Sequence, residues 1–431
     1  MKIILYYILI ITISLYSIQS FQNQYTEIEL INADSLVGLN LNDISTREFF
    51  GNVKFRHKDV NVKSDYAKQF INENKVELIG NVVITQNTLN LFSPKINYNG
   101  NSNIAYALDS VSIKDLKTNL IAKSGIYYTN TNIADFTGDV KVEDDSVIIY
   151  ANRIVYERQS RISKAYDRVL MIGKFNNVKL IADTVLNYPN QNYSIAFSNS
   201  ILFKIDTTKT IDSSDYDKII FNFDTLSISA DTMESFRQLN NEYYEFSKNV
   251  EIYRNNFSSR SDLVIYKKDT IILKDNPIVW YENTQLIADS IIISLINNKL
   301  QKLEGFNNAI IITEHDSTDK ERYNQISGNK IIINFDTNSK IFNILSVGNS
   351  KSIYYLADEK GNNGLDRKST DSINIQFRDN EIEKIYWLGT TVGEFIPENI
   401  VFDNPSSYNL PQFKIENNKP KKKLLKHKNL Q

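Results

Sequence analysis

One stretch of the chain, residues 77–98, recurs along the sequence and constrains the fold more than any other feature. Its apolar residues Val82, Ile84, Leu89 and Leu91 stand at alternate positions on either side of a polar turn, Gln86-Asn87-Thr88. Successive side chains of a strand point to opposite faces, so this alternation predicts two short strands with one buried face. A Gly80-Asn81 pair before the first strand predicts a corner.

Copies of this stretch occur at nearly constant spacing. Many of the copies end in a small residue followed by Asp or Asn. The distance between these acidic or amide residues is 31 residues in three pairs: Asp34 with Asp65, Asn152 with Asp183, and Asp231 with Asp262. A period near thirty residues indicates stacked repeats, in which each unit buries its apolar face only against its neighbours. The sequence therefore predicts an all-β, repetitive, solenoid-like protein of antiparallel strands.

The alternation also predicts the register, because a slip of one residue would turn every apolar side chain outward. It does not decide whether the buried faces form a filled core or line an open trough. A filled core is typical of a sandwich or a closed β-solenoid. An open trough would suit a long apolar ligand, since each buried methylene contributes about 0.8 kcal/mol.

The chain divides into six predicted parts. Lys2 followed by an apolar run and Ser20 is typical of a secretory signal peptide, or of an inner-membrane anchor if uncleaved. A polar stretch predicts a loop between two repeat regions, and the end of the chain is rich in Pro and Lys. The predicted parts are a signal peptide at 1–20, a first repeat region at 21–205, a polar linker at 206–222, a second repeat region at 223–355, a C-terminal β extension at 356–415 and a basic disordered tail at 416–431.

Composition excludes several kinds of site. The chain has no cysteine, three histidines far apart in sequence and a net charge of −2. These counts exclude disulfides and thiolate chemistry, disfavour a histidine metal site and give no reason to expect a nucleic-acid partner. No glycine-rich phosphate loop or nucleophile elbow is present. We therefore predict no catalytic residue, no metal and no cofactor.

The repeated Asp residues and the Lys-rich tail have competing interpretations. The Asp residues could be calcium ligands or catalytic carboxylates, but the glycine-rich nonapeptides of calcium solenoids are missing, so a local hydrogen bond that tightens a turn is favoured. The tail could attract anionic lipid head groups, but a solvated, disordered terminus is the favoured interpretation.

The repeats resemble those of the OstA-like (LptA) family of lipopolysaccharide-transport proteins. The similarity rests on units such as Gly51-Asn52-Val53 with Ser64-Asp65-Tyr66, and Gly80-Asn81-Val82 with Tyr98. The segment 324–355, with Gly328-Asn329 and Gly348-Asn349, is similar to the longer OstA-like proteins of the Bacteroidetes type. The resemblance covers roughly residues 27–415.

The resemblance implies a β-jellyroll or "β-taco", a V of two antiparallel sheets whose apolar interior holds acyl chains. It implies a non-enzymatic periplasmic carrier or bridge for lipopolysaccharide, which joins other β-taco transport proteins, or copies of itself, head to tail by strand addition. The residues expected to line the lipid-binding groove are Val53, Phe55, Val82, Ile84, Leu89, Leu91, Val140, Val142, Leu226, Ile228, Val250 and Ile252.

Two other classes of function stay open at this point. A structural or adhesive secreted β-solenoid would have a filled core and would carry no lipid. A polysaccharide-degrading β-helix enzyme would have carboxylates clustered on one exposed sheet, which sequence spacing alone does not exclude.

Overall fold

The structure, a computed structural model, describes residues 26–41, 44–175, 177–211, 219–238, 241–315, 321–359, 361–378 and 381–430. The predicted signal peptide, residues 1–20, lies outside these ranges. Within them, no helix has both the length and the apolar character needed to cross a membrane. Nearly all regular structure is β, as the alternation predicts, and every strand pairing is antiparallel.

The chain forms two compact units. Unit 1 runs to Leu116 and includes Ser124–Thr131, and unit 2 comprises Lys117–Lys123 and Asn132–Gln431. This division differs from the predicted regions 21–205 and 223–355, because the strands of residues 132–205 pair onward without a break into those that follow. The strands of unit 1 are β1 (Glu29–Asn32), β2 (Ser35–Leu41), β3 (Ile44–His57), β4 (Val60–Phe70), β5 (Lys75–Gln86), β6 (Leu89–Asn99), β7 (Ile104–Ala107), β8 (Val111–Asp115) and β10 (Ser124–Tyr128).

Unit 2 continues the same pattern, in which most strands pair with the one before and the one after. Its strands are β9 (Thr118–Ala122), β11 (Ile133–Glu143), β12 (Val147–Glu157), β13 (Ile162–Gly173), β14 (Val178–Tyr188), β15 (Tyr193–Ile211), β16 (Ile219–Gln238), β17 (Asn241–Tyr253), β18 (Ser258–Lys267), β19 (Thr270–Lys274), β20 (Ile278–Tyr281), β21 (Thr284–Ile287), β22 (Ser290–Ile296), β23 (Lys299–Glu314), β24 (Tyr323–Phe335), β25 (Ile341–Asp358), β26 (Gly361–Arg378), β27 (Glu381–Leu388) and β28 (Val392–Pro397). A single helical turn, Glu398–Val401, follows.

A corner interrupts every second long strand near its middle. At each corner two consecutive residues have positive φ, and the register with the neighbouring strand shifts by one residue. Such residues adopt the left-handed conformation, which Gly and Asn tolerate best. The corners are Gly51-Asn52, Gly80-Asn81, Gly138-Asp139, Asp167-Arg168, Ser198-Asn199, Lys248-Asn249, Asn307-Asn308 and Gly348-Asn349.

The repeated Asp residues hold these corners. The Asn81 side-chain amide donates to the Asp65 carboxylate at 2.8 Å, and Asn249 donates to Asp231 at 3.0 Å. Asn52 with Asp34, Asn199 with Asp183 and Asn308 with Asp289 repeat this contact. The role is structural, as the favoured interpretation has it. However, the prediction of a local bond was wrong, because the partner lies on the neighbouring strand, 16 to 19 residues away.

The corners bend the paired strands of each unit into two facing walls. Within β3, the Phe49 and Phe55 rings on either side of the corner meet edge to face, with centroids 5.2 Å apart. In unit 1, wall A comprises 35–41, 44–50, 66–70, 75–79, 95–99, 104–107 and 124–128, and wall B comprises 29–32, 53–57, 60–64, 82–86, 89–93 and 111–115. The predicted V of two antiparallel sheets is confirmed.

Unit 2 has two walls of its own, which are also named wall A and wall B. Wall A comprises 133–137, 153–157, 162–166, 184–188, 193–197, 232–238, 241–247, 263–267, 270–274, 290–296, 299–306, 330–335, 341–347, 372–378 and 381–388. Wall B comprises 118–122, 140–143, 147–151, 169–173, 178–182, 200–211, 219–229, 250–253, 258–261, 278–281, 284–287, 309–314, 323–327, 350–358, 361–370 and 392–397. The edge of each unit opposite the corners, where the strand ends of the two walls approach, is called the rim below.

The predicted polar linker at 206–222 is mostly strand. Residues 206–211 of β15 pair with residues 219–224 of β16, so they extend a hairpin of wall B. A Thr- and Asp-rich segment can form such a ladder because the pairing needs only backbone N–H and C=O groups. Residues 212–218 of the predicted linker lie outside the described ranges.

The C-terminal segment packs on the outer face of wall B, and it includes most of residues 416–431, for which the sequence predicts a disordered tail. Val401 and Leu410 are buried in a second apolar cluster with Ile310, Ile312 and Ile353. Gln285 binds both backbone groups of Glu416, at 3.2 Å each. Further along, Lys423 pairs with Glu251 and His427 contacts the Arg168 carbonyl oxygen. The predicted disordered tail therefore differs from the structure, because outward side chains of wall B bind its backbone.

Candidate functional site

The apolar interior between the walls is the candidate site. All twelve predicted groove residues point into it, and all twelve belong to wall B. Eleven of them are at most 2 % exposed, and Val142 is half-buried. The residues that face them from wall A were not predicted, although Phe49, Leu78, Ile96 and Tyr98 are as deeply buried. Their signal, alternate apolar positions before each corner, is present in the sequence at Val76 and Leu78.

The interior of unit 1 is packed. Leu78 and Ile96 of wall A and Ile84 and Leu91 of wall B are all 0 to 1 % exposed. The gap that Phe55, Val62, Val76 and Tyr98 line has a volume of about 0 Å³. In the described part of this unit, side chains from the two walls therefore fill the space between them.

Polar side chains close the rim of unit 1. The His57 ring of wall B lies between Tyr98 of wall A, at 2.7 Å from Nδ1 to the hydroxyl oxygen, and the Thr26 carbonyl oxygen, at 3.0 Å from Nε2. Gln86 of wall B accepts a 2.5 Å hydrogen bond from the Tyr127 hydroxyl of wall A. The His57–Tyr98 and Gln86–Tyr127 contacts each join the two walls, so they hold the packed interior shut.

Burial lowers the pKa of His57, and the nearby Lys58 charge adds to this effect against the hydrogen bond to Thr26. A neutral ring fits the contacts, because Nε2–H can donate to the Thr26 carbonyl while Nδ1 accepts from the Tyr98 hydroxyl. Since the pKa is 6.5 when the ring is unperturbed and lower when folded, the unfolded chain binds this proton first as pH falls. The stabilising contribution is complete above pH 6.5 and is lost below it.

We therefore expect unit 1 to lose stability through His57 as the pH falls from roughly 7.5 to 5.5, by at most about 1.4 kcal/mol per pH unit. The measurement is hydrogen exchange of unit 1 amides at both pH values, in the wild type and in His57→Gln, which keeps a polar side chain but does not titrate. The loss should be smaller in the variant. Equal losses in the two proteins would contradict the assignment.

The interior of unit 2 is open along β12–β17. A cavity of about 430 Å³ lies between the walls there, within the range of small-ligand sites. Wall B contributes Val147, Ile149, Met171, Val178 and Leu180, and wall A contributes Val185, Ile195, Ala196, Met233, Tyr244 and Phe246. None of the twelve predicted groove residues is among its lining residues.

This cavity reaches the rim, where its lining becomes polar. Arg161, Asn187, Arg237 and Glu242 stand at the rim of wall A, and Asp144 stands at the rim of wall B. Arg237 donates to the Ser194 hydroxyl at 2.7 Å and to the Asn187 side-chain oxygen at 3.1 Å. Both of these partners belong to wall A, so these bonds order the rim of that wall. An apolar interior with a polar rim suits an amphipathic molecule.

A second cavity, of about 300 Å³, lies between the walls at β20–β27. Its lining is rich in isoleucine, from Ile311 and Ile326 on wall B to Ile373 and Ile375 on wall A, and includes Trp387. The indole N–H of Trp387 donates to the Ser352 hydroxyl across the interior at 3.3 Å. This cavity is smaller than the first, and its lining was not predicted either.

Two features of the described residues bear on metal binding and on acid–base chemistry. Among these residues, no group of three or more His, Asp or Glu side chains could hold a metal ion. The carboxyl groups with the lowest pKa are surface ion pairs. Hydrogen bonds from Lys141 and Lys174 lower the pKa of Glu143 to about 2, which reflects a fixed negative charge on the surface.

Comparison with known proteins supports the resemblance seen in the sequence. Residues 25–136 match the family model described as OstA-like protein. Among solved structures, the chain is similar to the crystal structure of LptH from Pseudomonas aeruginosa, the LptA homologous periplasmic component of the conserved lipopolysaccharide transport device. The identity is 17 %, the match covers 26 % of this chain and 93 % of LptH, and the TM-score is 0.25. Among curated proteins, none matches this sequence. Residues 25–136 of the chain are therefore similar to the OstA-like family.

Proposed function

We propose that the protein is a non-enzymatic periplasmic carrier that shields the acyl chains of lipopolysaccharide between its walls. The observation that carries this proposal is the open apolar interior of unit 2, the cavity of about 430 Å³ along β12–β17. A chain of ten methylenes buried there would gain about 8 kcal/mol. The OstA-like match of residues 25–136 supports lipopolysaccharide as the lipid.

The ends of the sheets support a role as a bridge. Strands β1 and β2 flank β3 at the edge of unit 1, and their Leu30, Leu36 and Val37 side chains are exposed. Strands β27 and β28 flank β26 in unit 2, with Val392 and Phe395 exposed. Exposed apolar edge strands offer backbone groups for strand addition. We propose that other β-taco transport proteins, or further copies of this chain, bind at these edges.

One observation favours a second candidate function. The packed interior and closed rim of unit 1 resemble a filled structural core more than a groove. Unit 1 would then serve as a scaffold. The twelve predicted groove residues would contact lipid only where the walls part, so their role in lipid binding stays a proposal.

Filling the open interior tests the carrier function. We expect Leu180→Trp, which places a large ring in the cavity, to lower the amount of co-purifying lipid about tenfold, equivalent to about 1.4 kcal/mol of lost binding. Native mass spectrometry of the exported protein provides the measurement.

Lys179→Trp is the matched control, because Lys179 neighbours Leu180 on β14 and points to the outer face. It should leave the lipid content unchanged. Wild-type protein that carries no lipid, or equal lipid in both variants, would contradict the proposal.

A further inference from the structure

A cluster of charged and polar side chains crosses the rim of unit 2 where the first cavity ends. It joins β15, β16 and the end of β17 on wall B to the ends of β18 and β22 on wall A. We call it the clasp, and its members are Lys204, Asp206, Asp224, Arg254, Tyr266 and Asn298.

Three hydrogen bonds of the clasp run from wall to wall. The Lys204 ammonium of wall B donates to the Tyr266 hydroxyl and to the Asn298 side-chain oxygen of wall A, both at 3.2 Å. The Asn298 amide donates in return to the Asp206 carboxylate of wall B at 2.9 Å. Asn298 therefore takes part in two of the three bonds and connects them.

Arg254 anchors the clasp on wall B. Its guanidinium is only 4 % exposed and donates to Asp224 at 2.6 Å and to Asp206 at 3.1 Å. A buried guanidinium bound to two carboxylates is strongly held, since removing one partner leaves an uncompensated charge. Burial raises the pKa of Asp206, against the effect of Lys204 and Arg254. Arg254 and Asp206 are thus largely desolvated, and the wall B half of the clasp presents Lys204 and Asp206 to wall A.

The clasp adjoins the lining of the first cavity. Lys204 pairs in the ladder with Val178, and the Tyr266 ring lies 6.4 Å from the ring of Tyr244. Val178 and Tyr244 both line that cavity. Beyond the clasp, the interior is filled by Val264, Ile271, Leu273, Ile291 and Ile293, each 0 % exposed. The second cavity begins only after this packed stretch.

We propose that the clasp ties the two walls together at the rim, ends the open interior and separates the two cavities of unit 2. A guest chain in the first cavity then stops at the clasp, so the clasp sets the longest chain that the cavity holds. This second consequence rests on the proposed function, whereas the bridging of the walls does not.

Spin labels test the bridging without any ligand. The chain has no cysteine, so cysteines introduced at Asn255 of wall B and Lys268 of wall A, both exposed turn residues, are labelled uniquely. We expect Asn298→Ala to broaden the distribution of label distances about twofold. Once the bonds are lost, the walls move apart and together, so the labels sample a wider range of distances.

Asn297→Ala is the matched control. Asn297 and Asn298 both have positive φ, 50° and 64°, so each substitution imposes similar backbone strain, but only Asn298 belongs to the clasp. The control should keep the narrow distribution of the wild type. Equal broadening in the two variants, or none in Asn298→Ala, would overturn the bridging.

Competition between dodecanoic and octadecanoic acid tests the boundary of the cavity. We expect the wild type to prefer dodecanoic acid and Asn298→Ala to shift the preference about tenfold toward octadecanoic acid. An unchanged preference would overturn the role in chain length. If the wild type binds neither acid, the proposed function fails, whereas the label distances still decide the bridging.

Discussion

Replacing Val82 by Asp should lower the free energy of unfolding of unit 1 by about 4 kcal/mol. Val82 is 1 % exposed and faces the packed interior between the walls. The substitution removes a buried apolar side chain and leaves a carboxyl group there without a hydrogen-bond partner. Since folded domains are stable by only about 5 to 15 kcal/mol, this loss is a large part of the margin. Chemical denaturation followed by hydrogen exchange of unit 1 amides measures the change.

Val83→Asp is the matched control for this prediction. Val83 is the next residue of β5, points away from the interior and is half-buried. An Asp there meets solvent, so we expect a loss of about 1 kcal/mol or less. Similar losses for the two variants would mean that the interior of unit 1 admits water. The packed core of this unit would then be contradicted.

Part of the fold could be predicted because its causes are local. Alternation at Val82, Ile84, Leu89 and Leu91 determines which face of each strand is buried, and the structure confirms that face. The Gly80-Asn81 pair predicts a corner because few other residues adopt a positive φ at low cost. These signals lie within a few residues of the features that they produce.

Other parts depend on contacts between residues distant in sequence. Whether the walls touch or part depends on pairs such as His57 with Tyr98, 41 residues apart. The C-terminal segment is bound by Gln285, 131 residues from Glu416. Alternation does not encode either contact. The sequence does contain one signal of the C-terminal contact. Ile310-Ile311-Ile312 is a continuous apolar run, which is typical of a strand buried on both faces.

The candidate site, too, could be predicted only in part. The predicted groove residues are buried but all lie on wall B. Eight of them follow a corner, whereas Leu89, Leu91, Leu226 and Ile228 lie on strands without one. The position of the open cavity was not predicted, since Met171 and Leu180 alternate no differently from the packed Val82 and Ile84. What distinguishes the two places is whether opposing side chains fill the gap, which depends on both walls at once.

Gly80→Val should lower the free energy of unfolding of unit 1 by about 3 kcal/mol. Gly80 has a φ of 80°, which a β-branched residue adopts only with strain. A Cβ atom at this position would lie 2.6 Å from the Asp65 Oδ2 atom. That oxygen accepts the hydrogen bond from Asn81, so relieving the clash also breaks the bond that holds the corner. Denaturant titration with the same hydrogen-exchange readout measures the loss.

Gly38→Val separates this corner effect from the general effect of adding a side chain to a strand. Gly38 lies in β2, and a Cβ atom there would have no atom within 4 Å. Because the new side chain favours the extended conformation, we expect stability to stay within about 0.5 kcal/mol of the wild type or to rise. If Gly80→Val were equally harmless, the corners would not depend on the left-handed conformation. The repeated Asp-Asn contact would then follow from the bend without helping to produce it.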